Sequence, residues 1–133
     1  MEQQEFFSQL KAAGVDTDTA LERFMGNQGL YLRFLLQLPD ILHFDEMQSA
    51  LSAQDQEAFY HYIHTLKGTA SNLGVSTVGD CAHAILAELR TGGFRNMKKL
   101  QELLKEIETE SERIVDLIHY YKGEEQVLQI VIY

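Results

Sequence analysis

Apolar residues recur every three or four positions along most of this 133-residue chain, the period of helices that bury one face. Residues 3–13 carry Phe6, Phe7 and Leu10 and are predicted to form a short helix closed by Gly14. Asp16 or Thr17 is placed to cap a second short helix, which Gly26-Asn27 ends. From Gln28 the stripe Leu30, Phe34, Leu35, Leu38, Ile41 and Leu42 runs on to Met47 and Leu51 and ends near Ser52-Ala53. Pro39 inside it is predicted to kink that helix or split it in two. Asp55 caps the next helix, predicted over 55–73 with Gly74 as its left-handed C-cap. Another covers about 76–91 and stops at Gly92-Gly93. The last is predicted from Phe94 to about Tyr121, on Met97, Leu100, Leu103, Leu104, Ile107, Ile114, Leu117 and Ile118, with Lys122-Gly123 ending it.

Four substantial helices joined by short turns imply an all-α fold, an antiparallel four-helix bundle with two short N-terminal capping helices over one end. The expected domain is residues 1–123. Residues 124–133 form an apolar tail whose run Gln126 to Tyr133 (QVLQIVIY) is β-branched and locally prefers strand. A bundle offers no sheet to join, so the tail is expected to lie extended on the bundle surface, with a contact to another chain as the alternative. The protein is accordingly expected to be a monomer, or a dimer through the tail.

Composition narrows the function. One proline in the chain lets long stretches be helical, and the single Cys81 has no disulfide partner within it, which fits a reducing compartment and a small buried residue. A net charge of −9 repels nucleic acid and anionic lipid, and argues against both as partners. No apolar run approaches the roughly 18 residues that span a bilayer. Met1-Glu2-Gln3-Gln4-Glu5 has neither the basic region nor the apolar core of a secretion signal. The expectation is a free-standing cytoplasmic protein away from membranes.

The chemistry concentrates in residues 59–74, FYHYIHTLKGTASNLG. At about 100° per residue, Phe59, Ile63, Leu66, Ala70 and Leu73 fall in one sector, the core face. His64 then stands roughly 140° from its centre and Gly68 about opposite it. Ser71 and His61 lie on the outer side, with Lys67 at the flank one turn from His64. Imidazole is a good nucleophile near neutral pH, and a phosphoryl group on its nitrogen is readily passed on. Such transfer needs in-line approach of an acceptor, so the histidine must stand clear of the surface. A glycine at i+4 removes the side chain that would crowd that approach, at a cost to the helix of roughly 1 kcal/mol relative to alanine. Lys67 at i+3 places an ammonium near phosphoryl oxygens, and Ser71 supplies a further hydrogen-bond donor. On the residues alone two readings stay open: this phosphoryl-accepting site, or an ordinary surface histidine beside a glycine that permits close helix packing.

The run His64-Thr65-Leu66-Lys67-Gly68-Thr69-Ala70-Ser71-Asn72-Leu73-Gly74 closely resembles the signature of histidine-containing phosphotransfer (HPt) domains. That signature is a histidine followed by x-Leu-Lys-Gly and a small-residue stretch ending in Asn-hydrophobic-Gly. Gly14-Val15-Asp16, then Ala20-Leu21-x-Arg23-Phe24-x-Gly26-Asn27, Leu30-Tyr31 and Leu35, are similar to the entry of bacterial members, and Ala50-Leu51 and Asp55 precede the signature at the customary spacing. The resemblance spans roughly residues 12–120. It implies a helical bundle that carries a phosphoryl group to and from receiver-domain aspartates. His64 would be phosphorylated, Lys67 the charge partner and Gly68 the access residue, with Thr65 and Ser71 in support. The implied partners are response-regulator receiver domains and a hybrid histidine kinase. One departure is Leu86, where the family often has an acid; it is expected to leave the core intact and to change the neighbouring surface. The tail from Glu124 matches nothing in the family.

No Gly-rich phosphate loop or Walker-type motif is present. The expected role is therefore a stoichiometric carrier, not an autonomous kinase, with no cofactor of its own and the Mg²⁺ of the transfer held by the partner's aspartate site. The alternative is a module that docks and sequesters receiver domains without transfer. His61 and His64 at i, i+3 suit a metal only with two further ligands, and no Cys or carboxylate cluster completes the set. His43, His83 and His119 are read as structural or surface residues. Glu102, Lys105, Glu106, Glu108, Glu110, Glu112 and Arg113 form a solvated helix face. Tyr60 and Tyr62 flank the core stripe; for Tyr60 the alternatives are a place at the border of the docking surface and half-buried packing, and the packing is expected.

Overall fold

The computed structural model describes residues 1–132, with side chains as far as Gly123, and it is helical throughout the described elements. Helix α1 (Gln3–Ala12) buries Phe6, Phe7 and Leu10. Its chain turns at Gly14, whose φ is +92°. Helix α2 (Thr17–Arg23) is capped by Asp16, which accepts the Thr19 N–H at 3.1 Å. Helix α3 (Gln28–Leu35) is capped by Asn27, which accepts the Leu30 N–H at 3.0 Å.

The break expected at Pro39 falls just ahead of it. Pro39 sits at the second position of the short helix α4 (Leu38–Ile41), where its missing N–H has no partner to lose. A second break follows that the periodicity did not disclose: His43 adopts left-handed φ and ψ of 51° and 40° before helix α5 (Phe44–Ser52). In α3 the inward face is Tyr31, Leu32 and Leu35, so Leu30 and Phe34 of the expected stripe are exposed instead, while Leu38, Leu42, Met47 and Leu51 of the later pieces are buried as expected.

Helix α6 (Gln56–Leu73) has the expected caps. Asp55 accepts the Ala58 N–H at 3.1 Å, and Gly74 closes the helix at φ +77°. Helix α7 (Ser76–Gly92) follows after Val75. Helix α8 (Met97–Ile132) starts later than expected because Asn96, not a residue near Phe94, caps it by accepting the Lys99 N–H at 3.1 Å. It also does not stop at Lys122-Gly123; the backbone continues as helix to Ile132. Extending a formed helix adds a hydrogen bond per residue without a new nucleation cost, which outweighs the weak local preference of a β-branched run. An extended tail is thereby corrected. Where the tail's side chains pack, and whether they meet a second copy, lies outside the described residues.

The bundle is α5 to α8. Helix α6 packs on α5 and α7, and α7 on α8, while α1 lies on α8 and α2 and α3 on α6. All five expected core residues of α6 are buried, as are Leu100, Leu104, Ile107, Ile114 and Ile118 of α8. Leu86 is only 1% exposed. The departure there adds to the core and leaves the surface unchanged, contrary to expectation. Cys81 is buried as expected, and burial pushes its thiol up to about 11, so it stays protonated at neutral pH. Two aromatic side chains fasten α1 and α3 to the bundle. Phe6 stacks on Tyr121 with centroids 4.4 Å apart, and the buried Tyr31 hydroxyl donates to the Leu73 carbonyl at 2.8 Å.

Gly74 is where α6 and α2 meet. The Asp16 N–H donates to its carbonyl at 2.8 Å. A Cβ at Gly74 would collide with the Asp16 carbonyl oxygen, at a φ that disfavours any side chain. Gly74→Ala is expected to lose more than about 2 kcal/mol, the left-handed penalty plus the collision. A urea midpoint equal to the parent's would contradict this.

Candidate functional site

Helix α6 turns its apolar face inward and leaves His64, Thr65 and Gly68 exposed. Beyond the adjacent residues and the helix's own backbone, no heavy atom lies within 4 Å of where a Gly68 Cβ would stand. The glycine therefore packs against nothing, and the close-packing reading of it is removed. Helical side chains lean toward the helix N-terminus, over the turn before their own Cα. A side chain at position 68 would lean onto His64. The bare glycine leaves that side of the imidazole open.

On the other side His64 meets Tyr60. The two rings are nearly parallel, with an interplanar angle of 8° and centroids 5.8 Å apart. Tyr60 is 40% exposed, so it belongs to the surface around His64 more than to the half-buried packing expected of it.

Lys67 is half-buried and lines a groove of about 380 Å³ between α6, α2 and the start of α7. Ser71 lines the same groove, as do Arg23, Asp16, Asp80 and His83. Seven residues on from His64, Ser71 lies roughly 10 Å along the helix. It belongs with Lys67 in the groove. Thr65 is exposed and sits about 100° around the helix from His64. The five expected residues therefore split: His64 and Gly68 form an open nucleophile site, Lys67 joins it to a polar groove that Ser71 shares, and Thr65 faces another flank.

Arg23 is a groove residue to which sequence reasoning gave no role. Its guanidinium donates to the Ser71 carbonyl, across 48 positions of sequence that no local pattern bridges. Arg23 also helps hold the Asp16 carboxyl below its usual range, after the larger effect of hydrogen bonds from Thr19. Tyr60 was within reach of the sequence, since the i−4 position of a helix is a neighbour by geometry.

A second His-x-x-Lys-Gly run stands in α8, formed by His119, Lys122 and Gly123. His119 is exposed and a Gly123 Cβ would meet nothing within 4 Å. The likeness ends there. Lys122 donates to the Leu36 carbonyl at 3.2 Å, so its ammonium is committed. His119 borders a depression of about 420 Å³ that includes Asp40, Asp45, Glu46, Glu108 and Glu112, a setting that repels a phosphoryl group. Among the described residues no group of three or more His, Cys, Asp or Glu is arranged to hold a metal ion, and no helix is long and apolar enough to cross a membrane.

The family model described as the Hpt domain matches residues 30–116, well over half of the chain and the whole of α6. No curated protein and no solved structure matches the chain significantly.

Proposed function

Given that the chain belongs to the Hpt domain family, whose members carry phosphoryl groups on histidine in phosphorelays, we propose that His64 is the carrying residue here, taking the group from one receiver-domain aspartate and giving it to another. The observation that supports this is the open position at Gly68, one turn beyond an exposed imidazole. A lone-pair nitrogen of the ring attacks the phosphorus of an aspartyl phosphate. The new N–P bond forms as the acyl P–O bond breaks, the aspartate leaves as carboxylate, and the second ring nitrogen keeps its proton. The reverse step returns the group to a different receiver.

The transition state spreads charge over three phosphoryl oxygens, and catalysis is mainly positioning and charge stabilisation. Lys67 supplies the cation from this chain. Mg²⁺ belongs to the receiver's aspartate site, and no nucleotide is consumed. Thr65 and Ser71 border the docking surface and support it through contacts with the incoming receiver. The bundle of residues 1–123 is the carrier unit in this reading, and its partners are receiver domains and the kinases that feed them.

The test is labelling. Incubated with a phosphorylated receiver and Mg²⁺, the protein is expected to gain an acid-labile, base-stable phosphoryl group and to pass it to a second receiver. Tight binding with no transfer to the protein would instead establish a sequestering module.

A further inference from the structure

We propose that Tyr60 is a positioning residue for His64, fixing the plane of the imidazole so that its nitrogen edge points to the incoming phosphorus. The inference deepens the carrier reading of His64 and rests on it for its role in the relay.

Helical geometry brings the two rings together. Residues at i and i+4 are neighbours on a helix surface, and the His64 side chain leans back over the turn that holds Tyr60. An exposed histidine with small neighbours would sample several rotamers. Here the tyrosine ring lies parallel to it at 5.8 Å, within the range of offset aromatic stacking. The lone pair of an imidazole nitrogen lies in the ring plane. A parallel, offset ring therefore restrains the imidazole's plane without lying across its nucleophilic edge. Tyr60 closes the side toward the helix N-terminus, and Gly68 leaves the side toward the C-terminus bare. The phosphoryl donor is then offered one approach, along the plane the stack sets.

The second His-x-x-Lys-Gly run sharpens the point. His119 has Val115 at the corresponding i−4 position, so that histidine lacks an aromatic floor. Holding a nucleophile in a near-attack orientation is a recognised source of rate. It acts on the chemical step and leaves affinity for the partner alone.

The full-length parent, Tyr60→Phe and Tyr60→Ala are compared in two assays. One follows transfer from a phosphorylated receiver over a range of receiver concentrations, giving kcat and KM separately. The other follows labelling by phosphoramidate, a small donor from which ammonia leaves as the N–P bond to His64 forms, and which needs no docking surface. Tyr60→Ala is expected to lower kcat by roughly 2- to 10-fold, the worth of an aromatic pair, with KM unchanged and phosphoramidate labelling slowed by the same factor. Tyr60→Phe is expected to restore both, because the ring acts and not the hydroxyl. A rise in KM alone, with phosphoramidate labelling at the parent rate, would make Tyr60 a docking contact and overturn the proposal. Unchanged rates in both assays would overturn it equally. Because phosphoramidate involves no receiver, that arm decides the role of Tyr60 even if the parent accepts nothing from receivers, the result that sinks the carrier reading itself.

Discussion

His64→Gln is expected to fold as the parent does and to accept no phosphoryl group from a phosphorylated receiver. The His64 side chain is exposed and its described contact is the Tyr60 stack. An exposed substitution of this kind changes stability by no more than about 0.5 kcal/mol, so the helical signal and urea midpoint should match the parent's. Glutamine keeps the polarity and approximate length of the side chain but has no nucleophilic lone pair, since its amide nitrogen is delocalised into the carbonyl. Label should fall to background. All five histidines of the chain are exposed, so exposure selects none of them. The residue at i+4 from each histidine does select. His43, His61 and His83 have Met47, Thr65 and Ala87 there. His119 has a glycine at that position, but stands beside carboxylates with its lysine engaged elsewhere. Label persisting at the parent level in His64→Gln would show that the site assignment is wrong, and its loss on adding His119→Gln would move it to the second run.

The helical order of the chain was legible because its signals are local. Asp16 and Asp55 cap the helices they precede, and Gly74 sits in the left-handed conformation its position required, while Asn27, read only as the end of α2, also caps α3. The five core residues of α6 follow from periodicity alone, and that face fixes where His64 and Gly68 must point. Three features were not legible. The turn at His43 uses a left-handed conformation on a non-glycine residue, which no composition marks. Arg23 reaches Ser71 only because α2 and α6 are brought together in space, and sequence spacing says nothing of that. Leu86 departs from a family pattern that puts an acid there, and only its burial shows that the position faces inward. The bare His-x-x-Lys-Gly spacing does not separate His64 from His119, though the longer signature does: Tyr121 stands where it has leucine, and the family match ends at residue 116. Their settings differ too: Lys67, one turn from His64, lines a groove where Arg23 and Lys67 are balanced by Asp16 and Asp80, whereas His119 borders a depression dominated by acids. Local sequence placed the nucleophile; tertiary packing supplied its electrostatic setting.

Gly68→Gln should give a protein at least as stable as the parent that transfers far more slowly. In a helix interior, replacing glycine with glutamine gains roughly 0.5–1 kcal/mol of propensity. Nothing within 4 Å of the Gly68 Cβ position opposes the new side chain at its root. The same side chain leans back over the turn that carries His64 and occupies the approach that the glycine leaves open. A receiver must then displace it or dock off line, and a misplacement of about 1 Å can cost roughly 100-fold in rate. Transfer from a receiver is therefore expected to fall by about two orders of magnitude. Phosphoramidate, small enough to pass the obstruction, should lose much less, and Gly68→Ala should fall between Gln and the parent. The two readouts oppose each other: helix stability rises while transfer falls. A packing role for Gly68 would move stability down, and an idle surface position would leave transfer untouched. A Gly68→Gln protein that folds and transfers at the parent rate would mean that the open space above His64 is not the path the phosphoryl group takes.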